Sequence, residues 1–120
     1  MLRAAGVTVV LIGNGPGDPA SYNVRNIRQE AGNAVAYGMS WDDALRAITL
    51  TPAEVLGVAG QVGSLTAGRD ANLVIWSGDP FEFSSVAEQV FVRGMTYTTL
   101  SRQQQLLERY LTLPPAYTRP

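Results

Sequence analysis

The 120-residue chain has no cysteine and no histidine. Without cysteine, disulfide staples, thiolate metal sites, iron–sulfur clusters and thiol nucleophiles are excluded. Without histidine, the chain lacks the usual imidazole base, the Ser-His-Asp triad and the commonest transition-metal ligand. All nine basic residues are arginine, so Schiff-base and P-loop lysine chemistry is missing as well. Carboxylate, hydroxyl, amide and guanidinium groups remain, a narrow set for an independent catalyst. Charge of either sign is scarce, 16% of residues with a formal net of -1, and no basic stripe exists to neutralise phosphates. Nucleic acid is not an expected partner. The longest apolar run, Val7 to Ile12 with Thr8 inside it, is far too short to span a membrane, and no targeting segment is recognisable.

What is present is a globular composition, 46% hydrophobic. Leu2-Arg3-Ala4-Ala5-Gly6 has the pattern of a last helical turn with a glycine stop. Val7–Ile12 is β-branched and apolar without alternation, which predicts a strand covered on both faces, and Gly13 to Pro19 is a dense run of turn formers at its C-terminal edge. Ile27, Ala31, Ala34 and Val35 share one stripe of a helix over 24–37 that ends at Gly38. Ser40, with Asp43 as capping partner, opens a second helix that buries Trp41, Ala44, Leu45 and Ile48. Thr51-Pro52-Ala53-Glu54 predicts a capped third helix closed by Gly57. Short strands follow at 73–76, 86–93 and 95–99, the last two around Gly94, and Ser101 caps a final helix carrying Leu106, Leu107, Tyr110 and Leu111. Three segments result: 1–57 with a strand, glycine loop and helices, 58–99 with strands, and 100–120 with a helix and proline-rich tail.

Several residues invite chemistry. A glycine-rich loop after a buried strand allows a nucleotide-binding βα unit, but Gly13-x-Gly15-x-Gly17 is not Gly-x-Gly-x-x-Gly, Pro16 removes a donor and no lysine follows. Asn14 and Asp18 in that loop suit a metal ligand or a polar substrate contact, with an Asx turn as the plain alternative. Arg25 and Arg28 could hold a substrate carboxylate, although an arginine near Glu30 on a helix is more commonly a solvated ion pair. Trp41 and Trp76 fit core positions, and turn geometry accounts for Asp70 and Asp79.

From Asn23 onward the order of features is more specific than its parts. Asn-Val-Arg-Asn-Ile-Arg-Gln-Glu-Ala-Gly (23–32), Trp-Asp-Asp-Ala-Leu-Arg-Ala-Ile-Thr-Leu-Thr-Pro-Ala-Glu-Val-Leu-Gly (41–57), Val-Gly-Ser-Leu-Thr-Ala-Gly-Arg-Asp-Ala-Asn-Leu-Val-Ile-Trp-Ser-Gly-Asp-Pro (62–80) and Glu-Gln-Val-Phe-Val-Arg-Gly (88–94) resemble the C-terminal part of metal-dependent amidohydrolases of the imidazolonepropionase-like branch. The resemblance implies an α/β or α+β fragment: the last strand and helices of a TIM-like (β/α)8 barrel, then β-sandwich strands and a C-terminal helix. By position, Leu2 to Ala5 matches the end of the seventh barrel helix and Val7 to Ile12 the eighth strand. Residues 24 to 57 match the helices behind that strand, and 62 to 99 the returning sandwich strands.

The resemblance also implies a divalent metal, zinc or similar, held by histidines and often a carboxylated lysine, with an aspartate closing the eighth strand. All the histidines and the lysine of that pattern fall outside this chain, so no metal ligand is assigned in it and no metal is expected on it alone. Ile12-Gly13-Asn14-Gly15 stands where a Gly-Thr-Asp motif belongs, which puts Asn14 at the aspartate's position and Asp18 as its substitute in a shifted loop. The implied function is hydrolysis of non-peptide C–N bonds in cyclic amides or dipeptide-like substrates, by a chain inactive alone. The expected partners are a second copy of the chain or the N-terminal barrel portion, and the alternative function is a non-catalytic module that folds by self-association.

Overall fold

The computed structural model describes residues 5–13 and 24–111. A 3-10 turn at Val24–Asn26 leads into helix α1 (Ile27–Ala36), so the expected helix begins as a tighter coil. Its C-terminus closes as the glycine predicts: Gly38 adopts φ +97° and donates to Val35 O, while Met39 N–H reaches back to Ala34 O. These two bonds satisfy carbonyls that the helix would otherwise leave bare. Helix α2 (Trp41–Ile48) starts at Ser40, whose hydroxyl accepts from Asp43 N–H at 3.1 Å.

Helix α3 (Leu50–Val55) departs from expectation at its start. Thr51 is not the cap but a buried residue inside the helix, and Thr49 stands at the N-cap position without a side-chain capping bond. The reason is the spacing: only Thr49 separates α2 from α3, so the Thr49 hydroxyl donates instead to Leu45 O of the preceding helix. Pro52 still lies in the first turn, where its missing N–H costs nothing. Glu54 does not reach back to the helix start but lies 3.6 Å from Arg46, an exposed pair worth little. Gly57, at φ +72°, closes the helix as predicted.

Helices α1 and α2 meet through Ala31 and Ala44, both fully buried, and small side chains let the two backbones approach closely. Phe81 fills the space beside them, with Leu11, Val35, Met39, Leu45 and Ile48 packed around. The run Val7–Ile12 is not a strand here. A strand is held by neighbours on its hydrogen-bonding edges, and no described strand lies beside this one. Leu11 N–H donates instead to Ala47 O of α2 at 3.0 Å. Trp41, expected on the buried face of α2, is 38% exposed at the edge of this core.

The remaining elements are strands β1 (Leu73–Trp76), β2 (Ala87–Val92) and β3 (Met95–Tyr97), an antiparallel meander in the order β1-β2-β3. Arg93 (φ 50°) and Gly94 (φ 77°) form the β2–β3 connection, a left-handed pair that matches the natural twist of a two-residue hairpin. Val74, Val90 and Tyr97 lie side by side, as do Leu73, Phe91 and Thr96 in the next row, so apolar side chains face both ways. Among the described residues, a helix reaches the sheet only through Arg28 over the Trp76 ring, and no helix backbone lies against either face. Helix α4 (Arg102–Leu111) carries the predicted cap in reciprocal form, with Gln104 N–H donating to Ser101 Oγ and Ser101 N–H to Gln104 Oε1. The described architecture is thus a mixed one, helices followed by antiparallel strands.

Candidate functional site

The connection from β1 to β2, residues 77–86, is the segment that brings the sheet to the helices. Asp79 begins it with an Asx turn, its Oδ1 accepting from Phe81 N–H at 2.9 Å. That turn aims Phe81 into the helical core. Its carbonyl passes so close to α1 that a Cβ on Gly32 would lie 3.1 Å from it. Trp41, at the first position of α2, packs against Phe81 in a tilted ring pair at 5.3 Å and 44° and donates Nε1–H to both Asp79 oxygens at 3.1 and 3.0 Å.

Arg28 reaches the same segment from the first turn of α1. Its Nη1 donates to the carbonyls of Pro80, Glu82 and Ser85 at 3.0, 3.3 and 3.2 Å, and its guanidinium carbon lies 5.2 Å from the Trp76 ring centroid. Charged donors on carbonyls contribute about 1.5–3 kcal/mol each way they are made or lost. Among the described residues the partners of Arg28 are therefore carbonyls and an indole, not the Glu30 carboxylate. A shallow depression of about 210 Å3 opens where the segment meets the helices, with Trp41, Phe81 and Phe83 as its apolar wall and Asp79, Glu82 and Asn33 as polar lining.

Of the four residues singled out from the sequence, Asn14 and Asp18 lie outside the described residues. Arg25 has its backbone in the 3-10 turn that opens α1. Arg28 is three positions further on, turned to the 77–86 segment. Asp70, assigned to a turn, donates its N–H to Gln61 O and lies 3.6 Å from exposed Arg93. The Arg28 grip and the Trp41–Asp79 bond were not foreseen; the Gly78-Asp79-Pro80-Phe81 order was the available signal, since an Asx turn before an aromatic residue sends that residue inward.

Among the described residues, no three His, Cys, Asp or Glu side chains gather around one point. With no histidine or cysteine in the chain, the described residues do not fit a transition-metal centre. What they form is a seam that fixes one structural layer to another.

The order of these elements matches known proteins. The amidohydrolase family model matches residues 1–102. The amidohydrolase tasK of Hapsidospora irregularis is 31% identical over 94 residues, 78% of this chain and 9% of that protein. The imidazolonepropionase of Acidiphilium cryptum is 33% identical over 82 residues, 68% of this chain and 20% of that protein. The crystal structure of an amidohydrolase from Thermotoga maritima superimposes with a TM-score of 0.71 at 35% identity, over 81% of this chain and 24% of that one. The chain thus spans a quarter or less of each of these relatives, whose family is generally metal-dependent. By this match over most of its length, the chain belongs to the amidohydrolase family.

Proposed function

We propose that the chain supplies the C-terminal part of a hydrolase that cleaves non-peptide C–N bonds, in a cyclic amide of the imidazolone type or a dipeptide-like substrate, and that polypeptide beyond this chain supplies the metal ligands. The observation that carries the proposal is the family match across residues 1–102 in a chain with no histidine, cysteine or lysine. In this reading Val7–Ile12 would become the last strand of a barrel once neighbouring strands are supplied, and β1–β3 would belong to a sandwich completed by other strands. Asp18 is the sole carboxylate between Val7 and Asn23, so it is the group that can accept a proton from an attacking water, with Asn14 as a hydrogen-bonding neighbour. Arg25 would meet a substrate carboxylate, and Arg28 would brace the helix start that carries it.

A chimera tests this reading. The chain replaces the matching segment of the Acidiphilium cryptum imidazolonepropionase, and imidazolone hydrolysis is measured beside the chain alone. The expected result is hydrolysis by the chimera, none by the isolated chain, and a loss of at least about 100-fold in Asp18→Asn, the scale of a positioned acid–base group. A folded chimera that stays inactive, or an Asp18→Asn chimera with full activity, refutes the corresponding part.

A second reading, a module that associates with its own copies, is favoured by one observation: the sheet has apolar side chains on both faces and, apart from Arg28 over Trp76, no described helix against either.

A further inference from the structure

We propose that the connection 77–86 and Trp76 form a positioning element for the site: through Arg28 they fix the start of α1, so that substrate affinity at Arg25 depends on residues that touch no substrate. The proposal rests on the hydrolase reading for its catalytic consequence and on the seam alone for its geometry.

The start of α1 has no local means of holding its place. Asn26 stands at the N-cap without a side-chain capping bond, and the chain enters the helix through a 3-10 turn. Arg28 is the second residue of the helix, where a cation opposes the helix dipole. What holds this end is a long-range grip. Arg28 Nη1 donates to the carbonyls of Pro80, Glu82 and Ser85, 52 to 57 positions away, and the guanidinium lies 5.2 Å from the Trp76 ring centroid. Charge-assisted bonds are roughly twice as strong as neutral ones, and an indole face attracts the same cation.

The far end of the grip is itself anchored. Gly32, one turn after Arg28 on the same helix face, lets the Phe81 carbonyl come so close that a Cβ would lie 3.1 Å from it. Asp79 ties the same connection to α2 through Trp41 Nε1. These contacts join residues within the chain and do not depend on what covers its outer surfaces. With Nη1 taken up by carbonyls, Arg28 works inside the chain. Arg25, three positions earlier in the 3-10 turn, is the arginine that the hydrolase reading assigns to a substrate carboxylate.

Two measurements test the two halves. On the chain itself, Trp76→Leu removes the ring beside the guanidinium at a position far from the helix start in sequence. The amide shifts of Val24, Arg25 and Asn26 are expected to move in Trp76→Leu and to stay near their native values in Trp76→Phe, which keeps a ring face. Unmoved shifts in a folded Trp76→Leu chain overturn the hold on the helix start, whatever the activity. In the chimera, Arg28→Lys keeps the charge and loses the fork. It is expected to raise KM about 10- to 100-fold with kcat within about twofold, because a misplaced binding group weakens ground and transition states alike. A merely destabilising change lowers the yield of active enzyme, and so kcat, and leaves KM in place. In an Arg25→Gln background, Arg28→Lys is expected to add less than about twofold, since the residue it acts through is gone. Additive losses, or an unchanged KM in Arg28→Lys, overturn the positioning role. An inactive native chimera refutes the hydrolase reading, and the amide shifts then still decide whether the connection holds the helix start.

Discussion

Two glycines with the same backbone twist have different consequences for substitution. Gly63 (φ +96°) is walled in: a Cβ there would lie 2.8 Å from Ala53 Cβ and 3.1 Å from Leu50 Cα, at the junction of α2 and α3. Gly68 (φ +88°) opens on space. Left-handed backbone costs a residue with a Cβ about 1–2 kcal/mol, and forced overpacking adds about 1–3. Gly68→Ala is therefore expected to lose about 1 kcal/mol in chemical denaturation and Gly63→Ala about 3 kcal/mol. Equal losses would mean that the α2–α3 junction yields to the methyl group. Arg28 is the other residue whose setting decides its role. Nη1 is committed to three carbonyls and the guanidinium sits over the Trp76 ring, so lysine, a point donor, cannot replace it in kind.

At the scale of elements, the two serine caps differ in what stands behind them. Helix α2 packs against α1 and α3, whereas no described element packs against α4. Ser40→Ala is expected to lower global stability by about 1 kcal/mol, the usual value of such a cap. Ser101→Ala is expected to leave the global transition in place and to reduce only the helical signal of residues 102–111 in amide chemical shifts, because a short helix without tertiary support depends on its capping box. A global loss from Ser101→Ala would reveal a tertiary role for α4.

The same distinction explains what was legible in the sequence. Helix ends at Ser40, Gly38, Gly57 and Ser101 rest on partners within a few residues, and each formed as read. The β2–β3 hairpin was legible for the same reason, since Arg93-Gly94 fixes it locally. Val7–Ile12 was not, because a strand is made by its neighbours and composition cannot supply them. Thr51 was misread as a cap since the rule for an isolated helix ignores a second helix ending one residue earlier. The seam was out of reach altogether: Arg28 meets carbonyls more than fifty positions away. Among the proposed site residues, Asn14 and Asp18 stand out by their place in the glycine-rich loop and by resemblance, and both lie outside the described residues.

At the scale of the molecule, little of what is described is hidden from water. Among the described residues the buried hydrophobic set is Ala31, Ala44, Ala47, Ala53 and Phe81, four of them alanines, while Leu65, Phe83, Met95, Leu107 and Leu111 are largely exposed. A core of that size supplies few kilocalories, since burial contributes about 25 cal/mol per Å2 and alanine offers little area. The chimera and light scattering on the chain alone address the same surplus of apolar surface from two sides, one by supplying a larger polypeptide and the other by detecting a second copy.

The seam also gives the molecule a built-in optical reporter. The chain has two tryptophans; Trp41 is hydrogen-bonded to Asp79 and Trp76 lies close to Arg28, so both chromophores stand where the sheet connection grips the helices. Indole emission depends on nearby charge and on contact with water, and in this protein it will follow the seam instead of the chain average. On mild denaturation the emission maximum is expected to shift red before far-ultraviolet ellipticity falls, since helices held by their own caps outlast the grip between layers. Coincident transitions by the two probes would mean that helices and sheet come apart only when everything does.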